Sequence, residues 1–205
     1  MGEIASALIG AVILGAAATC GVAASQAILP RLPRFEDGPP ATDVPPAALI
    51  AGAVVLGAIV GFRTPPLDQL ALIAIVTIGL VGTWYCDART GIIPDVFTLV
   101  PLALVVAYGL WQRQPMVLIS ALVLFVPFAI LAFVSKGRGM GWGDAKLAAL
   151  GGALLGVSTA TLAFVLASLV AAVAAWVKHR SRNAPIAMGP YLVAAIAASL
   201  PFNLL

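Results

Sequence analysis

Residues 67–95 read LDQLALIAIVTIGLVGTWYCDARTGIIPD. After Asp68 and Gln69 the run is apolar or small as far as Cys86. About 20 mostly apolar residues suffice to cross the hydrocarbon core of a bilayer, so the stretch predicts a membrane-spanning helix over 67–86. It stops on Asp87. Gly91 and Pro94 then interrupt the chain before Asp95 opens another apolar run. An acid near membrane depth is costly to keep there, and acids retained in such places tend to be functional.

Working outward, the same length criterion gives spans at 4–29, 46–62, 95–112, 115–135, 144–156, 158–177 and 185–203. The fold class read from this pattern is an all-α, polytopic transmembrane helix bundle of about eight spans. Seven is the alternative count, because the division between 144–156 and 158–177 rests on Gly151, Gly152, Gly156 and Ser158. The chain has 205 residues, 62% hydrophobic and 9% charged, against roughly 25% charged in soluble domains. That excludes a water-soluble globule. The acidic start and long first run (4–29) predict a retained helix, since a secretory signal begins basic and is shorter. Pro30–Pro45 reads as a short polar loop, too small and proline-rich for a domain. Gly57-x-x-x-Gly61 and Gly152-x-x-x-Gly156 are read as close helix packing.

Charge gives an orientation. With eight spans, Arg31, Arg34, Arg89, Lys136, Arg138, Lys146, Lys178, Arg180 and Arg182 fall on one side and only Arg63 and Arg113 on the other. Basic residues favour the cytoplasmic side, so the first side is expected to be cytoplasmic and both termini periplasmic. Seven spans would move Lys178, Arg180 and Arg182 outward. The net charge of +3 is thereby explained by topology, and no nucleic-acid partner is expected. Cys20 and Cys86 lie in apolar runs, and no Cys-x-x-Cys pair exists, so neither a cysteine zinc site nor another metal or cofactor is expected.

Glu3, Glu36, Asp37, Asp43 and Asp68 lie at the terminus or in connections, where hydration accounts for them. Asp87, Asp95 and Asp144 lie at the edges of spans that face the cytoplasm in this topology. Asp95 follows Pro94 and reads as a helix start. Asp144 follows a loop in which Gly137, Gly139, Gly141 and Gly143 alternate with other residues. Such a backbone can approach another chain closely, and Asp144 is expected to be the helix N-cap. Asp87, at a helix C-terminus, lacks that support from the helix dipole, so Asp144 is expected to be the ionised member of a pair. Two carboxylates meeting at one membrane edge suit water activation: one takes a proton from water while the other polarises a carbonyl. The bland reading makes Asp144 a cap and leaves Asp87 paired with Arg89 or a lipid headgroup. Lys146 reads as a topology-setting cation, His179 as part of a headgroup-facing cluster, and Trp84, Tyr85 and Trp142 as an interfacial belt.

Asp87-Ala-Arg-Thr-Gly-Ile-Ile-Pro94-Asp95 and Gly141-Trp-Gly143-Asp144-Ala-Lys146-Leu147 resemble the signature regions of type IV prepilin peptidases. Gly21 through Arg31-Leu32-Pro33, and Ala184 through Gly189-Pro190-Tyr191, resemble that family's flanking segments, with Ala187-Met188 departing from it. The resemblance implies a membrane aspartic endopeptidase with Asp87 and Asp144 as catalytic pair. It would act on prepilins or pseudopilins of type IV pili or type II secretion systems, cutting a basic leader after glycine at the cytoplasmic face of the bacterial inner membrane. Gly141, Gly143, Lys146, Pro94 and Asp95 would support the substrate loop. Many full-length members also methylate the new amino terminus and carry a cysteine-rich zinc domain between the first two spans. The cysteine-free loop at 30–45 stands in that place, so zinc binding is not expected, and methyl transfer is expected to be absent or supplied by another protein. A presenilin-like protease, a proton-coupled transporter and an inactive membrane scaffold are the competing readings. A transporter would place its acids nearer the bilayer midplane.

Overall fold

The computed structural model describes residues 2–33, 44–135, 140–179 and 187–202, with the side chains of Lys178 and His179 excepted. The expectations for Arg34, Glu36, Asp37, Asp43, Lys136, Gly137, Arg138, Gly139, Arg180, Arg182 and 184–186, and for the side chains of Lys178 and His179, lie outside the described residues. Within them the chain forms seven α-helices and no strand: α1 (Gly2–Ile28), α2 (Pro46–Phe62), α3 (Leu67–Thr90), α4 (Asp95–Trp111), α5 (Met116–Val134), α6 (Trp142–His179) and α7 (Gly189–Ser199). Short 3-10 turns, Leu29–Arg31 and Leu200–Phe202, follow α1 and α7. Pro45, Pro66, Pro94 and Pro115 directly precede α2, α3, α4 and α5. A proline cannot donate into a helix running into it, so each one separates its helix from the chain before.

Four segments are long and apolar enough to cross a membrane: α1 with its following turn, α3, α5 and α6 up to Val177. The others, α2, α4 and α7, are shorter apolar helices. Large apolar side chains stand exposed on the outside, among them Val12, Leu122, Phe133, Leu162 and Trp176. With so little charge to cover it, that exterior is a surface for lipid, and the chain is a multi-pass membrane protein.

α3 is the centre of the bundle. Gly21 brings α1 against it, where a Cβ would lie 2.9 Å from the Ile78 carbonyl oxygen. On another face, Gly79 and Gly82 take the backbone and ring of Phe97 from α4, with a Cβ on Gly82 falling 2.5 Å from the ring. The Gly57/Gly61 pair packs as expected, directly on Ser6, Ala7 and Gly10 of α1. Tyr85 differs from expectation: it is buried against Ala18, Val22, Ala53 and Val81 and does not belong to an interfacial belt.

The second small-residue pair needs correction. Gly152 packs closely, with a Cβ falling 2.5 Å from the Ser120 carbonyl oxygen, but Gly156 meets nothing. Gly156 is instead where the backbone leaves the helix, at φ 72 and ψ 169. Residues 151 and 164 would stand about 20 Å apart in a straight helix, yet Gly151 abuts the Phe164 ring. The chain therefore doubles back at Gly156, and α6 is a helical hairpin of two arms. Leu147, Leu150 and Leu154 of the first arm and Phe164 and Ala167 of the second enter one core with Val76 and Leu80 of α3 and Leu192 and Ile196 of α7.

The Gly156 conformation is essentially closed to residues with a Cβ. Gly156→Ala should destabilise the fold by about 1–3 kcal/mol, read as a lowered unfolding midpoint in detergent, while Gly52→Ala, whose Cβ would meet open space, should leave the midpoint unchanged.

Candidate active site

α3 runs past the predicted end at Cys86 to Thr90. Gly91 closes it in the left-handed region at φ 67, donating its N–H to the Asp87 carbonyl at 2.9 Å. Thr90 tightens the exit, its hydroxyl donating to the Cys86 carbonyl at 2.8 Å and accepting from the Ile92 N–H at 3.3 Å. Asp87 is thus fixed inside a completed last turn, with 5% of its surface exposed. Its Oδ2 accepts the backbone N–H of Gly189, the first residue of α7, at 3.0 Å. That contact demands glycine, because a Cβ there would stand 2.7 Å from the same oxygen.

Asp144 occupies the third residue of α6, two beyond Trp142, and not the N-cap expected for it. Gly141 is the cap: its carbonyl accepts the Ala145 N–H, and its own N–H donates to Asp144 Oδ2 at 3.2 Å. This is the reaching-back half of a capping box. Asp144 is 9% exposed. Each aspartate therefore accepts one backbone N–H at the start of a helix, Asp87 from α7 and Asp144 from its own. The N–H at the start of α7 gives Asp87 the same kind of support that Asp144 takes from Gly141.

The two motifs come together at one end of the bundle. The Asp87 carboxyl lies near enough to feel the charge of Asp144. Gly143 packs on Ile93, where a Cβ would fall 2.6 Å from the Ile93 Cβ. Lys146 Nζ donates to Asp95 Oδ1 at 2.5 Å. The Ile-Ile-Pro turn after α3 is thereby clasped to the start of α6, and Pro94 sets the first turn of α4 between them. Lys146 and Asp95, by position a topology cation and a plain helix start and by the family resemblance supporting residues, form an ion pair joining α6 to α4. With Lys146 and Asp95 25% and 62% exposed, the pair adds alignment more than stability. Arg89 lies over the Tyr85 ring, 4.4 Å from its centroid.

Gly189 is the site residue that sequence reasoning passed over. The Gly-Pro step at a helix start was its available signal, but only the fold reveals that this helix end faces Asp87. Among the described residues no three His, Cys, Asp or Glu side chains are grouped as a metal would require. The site's chemical capacity is that of two buried carboxyl groups with backbone donors.

Residues 74–176 match the model of the type IV leader peptidase family. That segment contains both aspartates. The chain is 36% identical over 138 residues to a prepilin leader peptidase/N-methyltransferase of Pseudomonas aeruginosa, covering 62% of this chain and 48% of the relative. Proteins of the same description from Stutzerimonas stutzeri and Pseudomonas putida are 33% identical over 138 residues and 30% identical over 155, covering 62% and 70% of this chain and 48% and 54% of theirs. The chain spans about half the length of these curated relatives. No solved structure matches it significantly. With half of its length matched by the family model, on a membrane bundle that unites the two aspartate motifs, the chain belongs to the type IV leader peptidase family.

Proposed function

We propose that this protein is a membrane aspartic endopeptidase that removes the leader peptide of type IV prepilins or pseudopilins at the cytoplasmic face of the bacterial inner membrane. The observation that carries the reading is the meeting of Asp87 and Asp144, from separate helices, at one end of the bundle. The names of the relatives supply the substrate class. In this reading residues 1–205 act as one peptidase domain, with the 30–45 loop in the place of a zinc domain. The chemistry proposed is peptide hydrolysis alone, without metal or cofactor.

In this mechanism the two carboxyls share one proton, as like charges meeting in a buried site favour. The ionised member takes a proton from water as its oxygen attacks the scissile carbonyl. The protonated member hydrogen-bonds the carbonyl oxygen and transfers its proton as the tetrahedral intermediate forms. Collapse breaks the C–N bond: the leaving nitrogen takes the proton that the first carboxyl received from water, and the second carboxylate takes back a proton from one hydroxyl of the intermediate, which restores the single shared proton. Because each aspartate accepts one helix-start N–H, the proton is assigned to the dyad and not to one residue. Gly141 keeps a side chain away from the Asp144 carboxyl, and Gly143 lets the start of α6 lie against Ile93. Pro94, Asp95 and Lys146 hold the opposing turn.

The cytoplasmic orientation rests on nine basic residues against two. It goes with eight crossings, the two arms of α6 counting separately, and with both termini periplasmic.

Purified protein in detergent should cleave a prepilin after the glycine that ends its leader, as read by the mass of the product. Asp87→Asn and Asp144→Asn should each lower the rate on the order of a thousandfold or more while keeping the parent's unfolding midpoint within a few degrees. Full cleavage by either variant would remove that residue from the chemistry. Gly189→Ala should lower kcat at least about tenfold, since the methyl group must displace the Asp87 carboxyl or the start of α7. Exchanging Lys146 and Asp95, as the double variant Lys146→Asp/Asp95→Lys, should recover activity lost in either single variant.

A further inference from the structure

Thr83 lies one helical turn before Asp87 on α3. It is fully buried, 0% exposed, and its hydroxyl has no hydrogen-bond partner among the described residues. Burying a hydroxyl without a partner is unfavourable, and the exceptions in folded proteins call for a reason. The helix itself offers a remedy that its neighbours adopt. Thr77 donates to the Ile73 carbonyl at 2.8 Å and Thr90 to the Cys86 carbonyl at 2.8 Å. The Gly79 carbonyl stands at the same spacing before Thr83 and is not used. The packing does not ask for a hydroxyl either. Val76 and Leu80, on the same face, are wholly apolar members of the main core, and valine has the shape of threonine.

What Thr83 does have within one turn is the carboxyl of Asp87. Side chains four apart on a helix are neighbours, about 5–6 Å between Cβ atoms, so the hydroxyl and the carboxyl share one face of α3. Asp87 Oδ2 is occupied by the Gly189 N–H. That leaves Oδ1 as the oxygen for a second donor.

We propose that Thr83 is a positioning residue, whose hydroxyl donates to Oδ1 of Asp87 when substrate is engaged and so fixes the carboxyl between two donors, Thr83 and Gly189. The proposal rests on the reading of Asp87 as catalytic. No bond is made or broken by Thr83, and the proton transfers remain with the dyad.

Thr83→Val and Thr83→Ser, assayed on a prepilin and unfolded in detergent beside the parent, test it. Thr83→Val should be as stable as the parent or more so, because it removes an unpartnered polar group without changing shape. Its kcat should nonetheless fall about ten- to hundredfold, the weight of a hydrogen bond to a charged group, with KM unchanged. Thr83→Ser keeps the hydroxyl and should stay within about threefold of the parent kcat. Parent-like kcat in Thr83→Val, or an equal loss in Thr83→Ser, would overturn the proposal. So would a loss in Thr83→Val matched by a lower unfolding midpoint, since that marks a structural role. If the parent cleaves and Asp87→Asn does not, a normal Thr83→Val sinks this inference alone. A parent that cleaves no prepilin sinks both readings.

Discussion

A buried carboxylate accepting a backbone N–H at the start of a helix is the interaction on which this structure turns. Asp87 is nearly sealed from water, and an ionisable group in such a place must be compensated. The donor comes from the first residue of α7, 102 positions along the chain. That single bond aligns the last turn of α3 with the first turn of α7. It also requires Gly189, because any side chain there would occupy the space of the carboxyl oxygen. Asp144 has the same kind of support from Gly141 at shorter range. The site is therefore assembled from helix ends, and its polar groups are largely backbone.

Lipid gives little hydrophobic drive between helices, so closeness must come from shape. Glycines on α1, α2 and α3 allow backbones to touch where larger residues would hold them apart. α3 is gripped on three sides in this way, by α1 at Gly21, by α4 at Gly79 and Gly82, and by α7 at Gly189. The helix that carries Asp87 is thus held on three faces, the support that the catalytic role proposed for Asp87 would need. The hairpin at Gly156 serves the same end from the other side. By folding α6 back, it packs both arms against α5, Gly152 of the first on Ser120 and Phe164 of the second on Phe128.

Much of this was legible in the sequence. α2 begins and ends where its apolar run does, and the two aspartate motifs announce a site. Residues whose meaning is local could be read. Asp144 was misplaced by three positions because the capping role passed to Gly141, a distinction of hydrogen bonding and not of composition. Gly156 carries two readings in the sequence, a break between spans and a packing contact, because φ is invisible in a letter and glycine serves both purposes; the structure realises the break. Tyr85 looked interfacial by type and is core because α1 crosses α3 there. The Gly189–Asp87 bond and the Lys146–Asp95 pair join distant segments, so no spacing rule could reveal them.

The account stands on the convergence of two acids from different helices, which a proximity measurement reads without reference to activity. In a background with Cys20 and Cys86 replaced by alanine, Asp87→Cys and Asp144→Cys can be combined and treated in native membranes with a short homobifunctional thiol cross-linker. With a protease site engineered into the 136–139 connection, the two halves of the chain should remain joined after cleavage, through a link absent from either single-cysteine protein. Halves that separate freely, with both cysteines demonstrably reactive, would contradict the account.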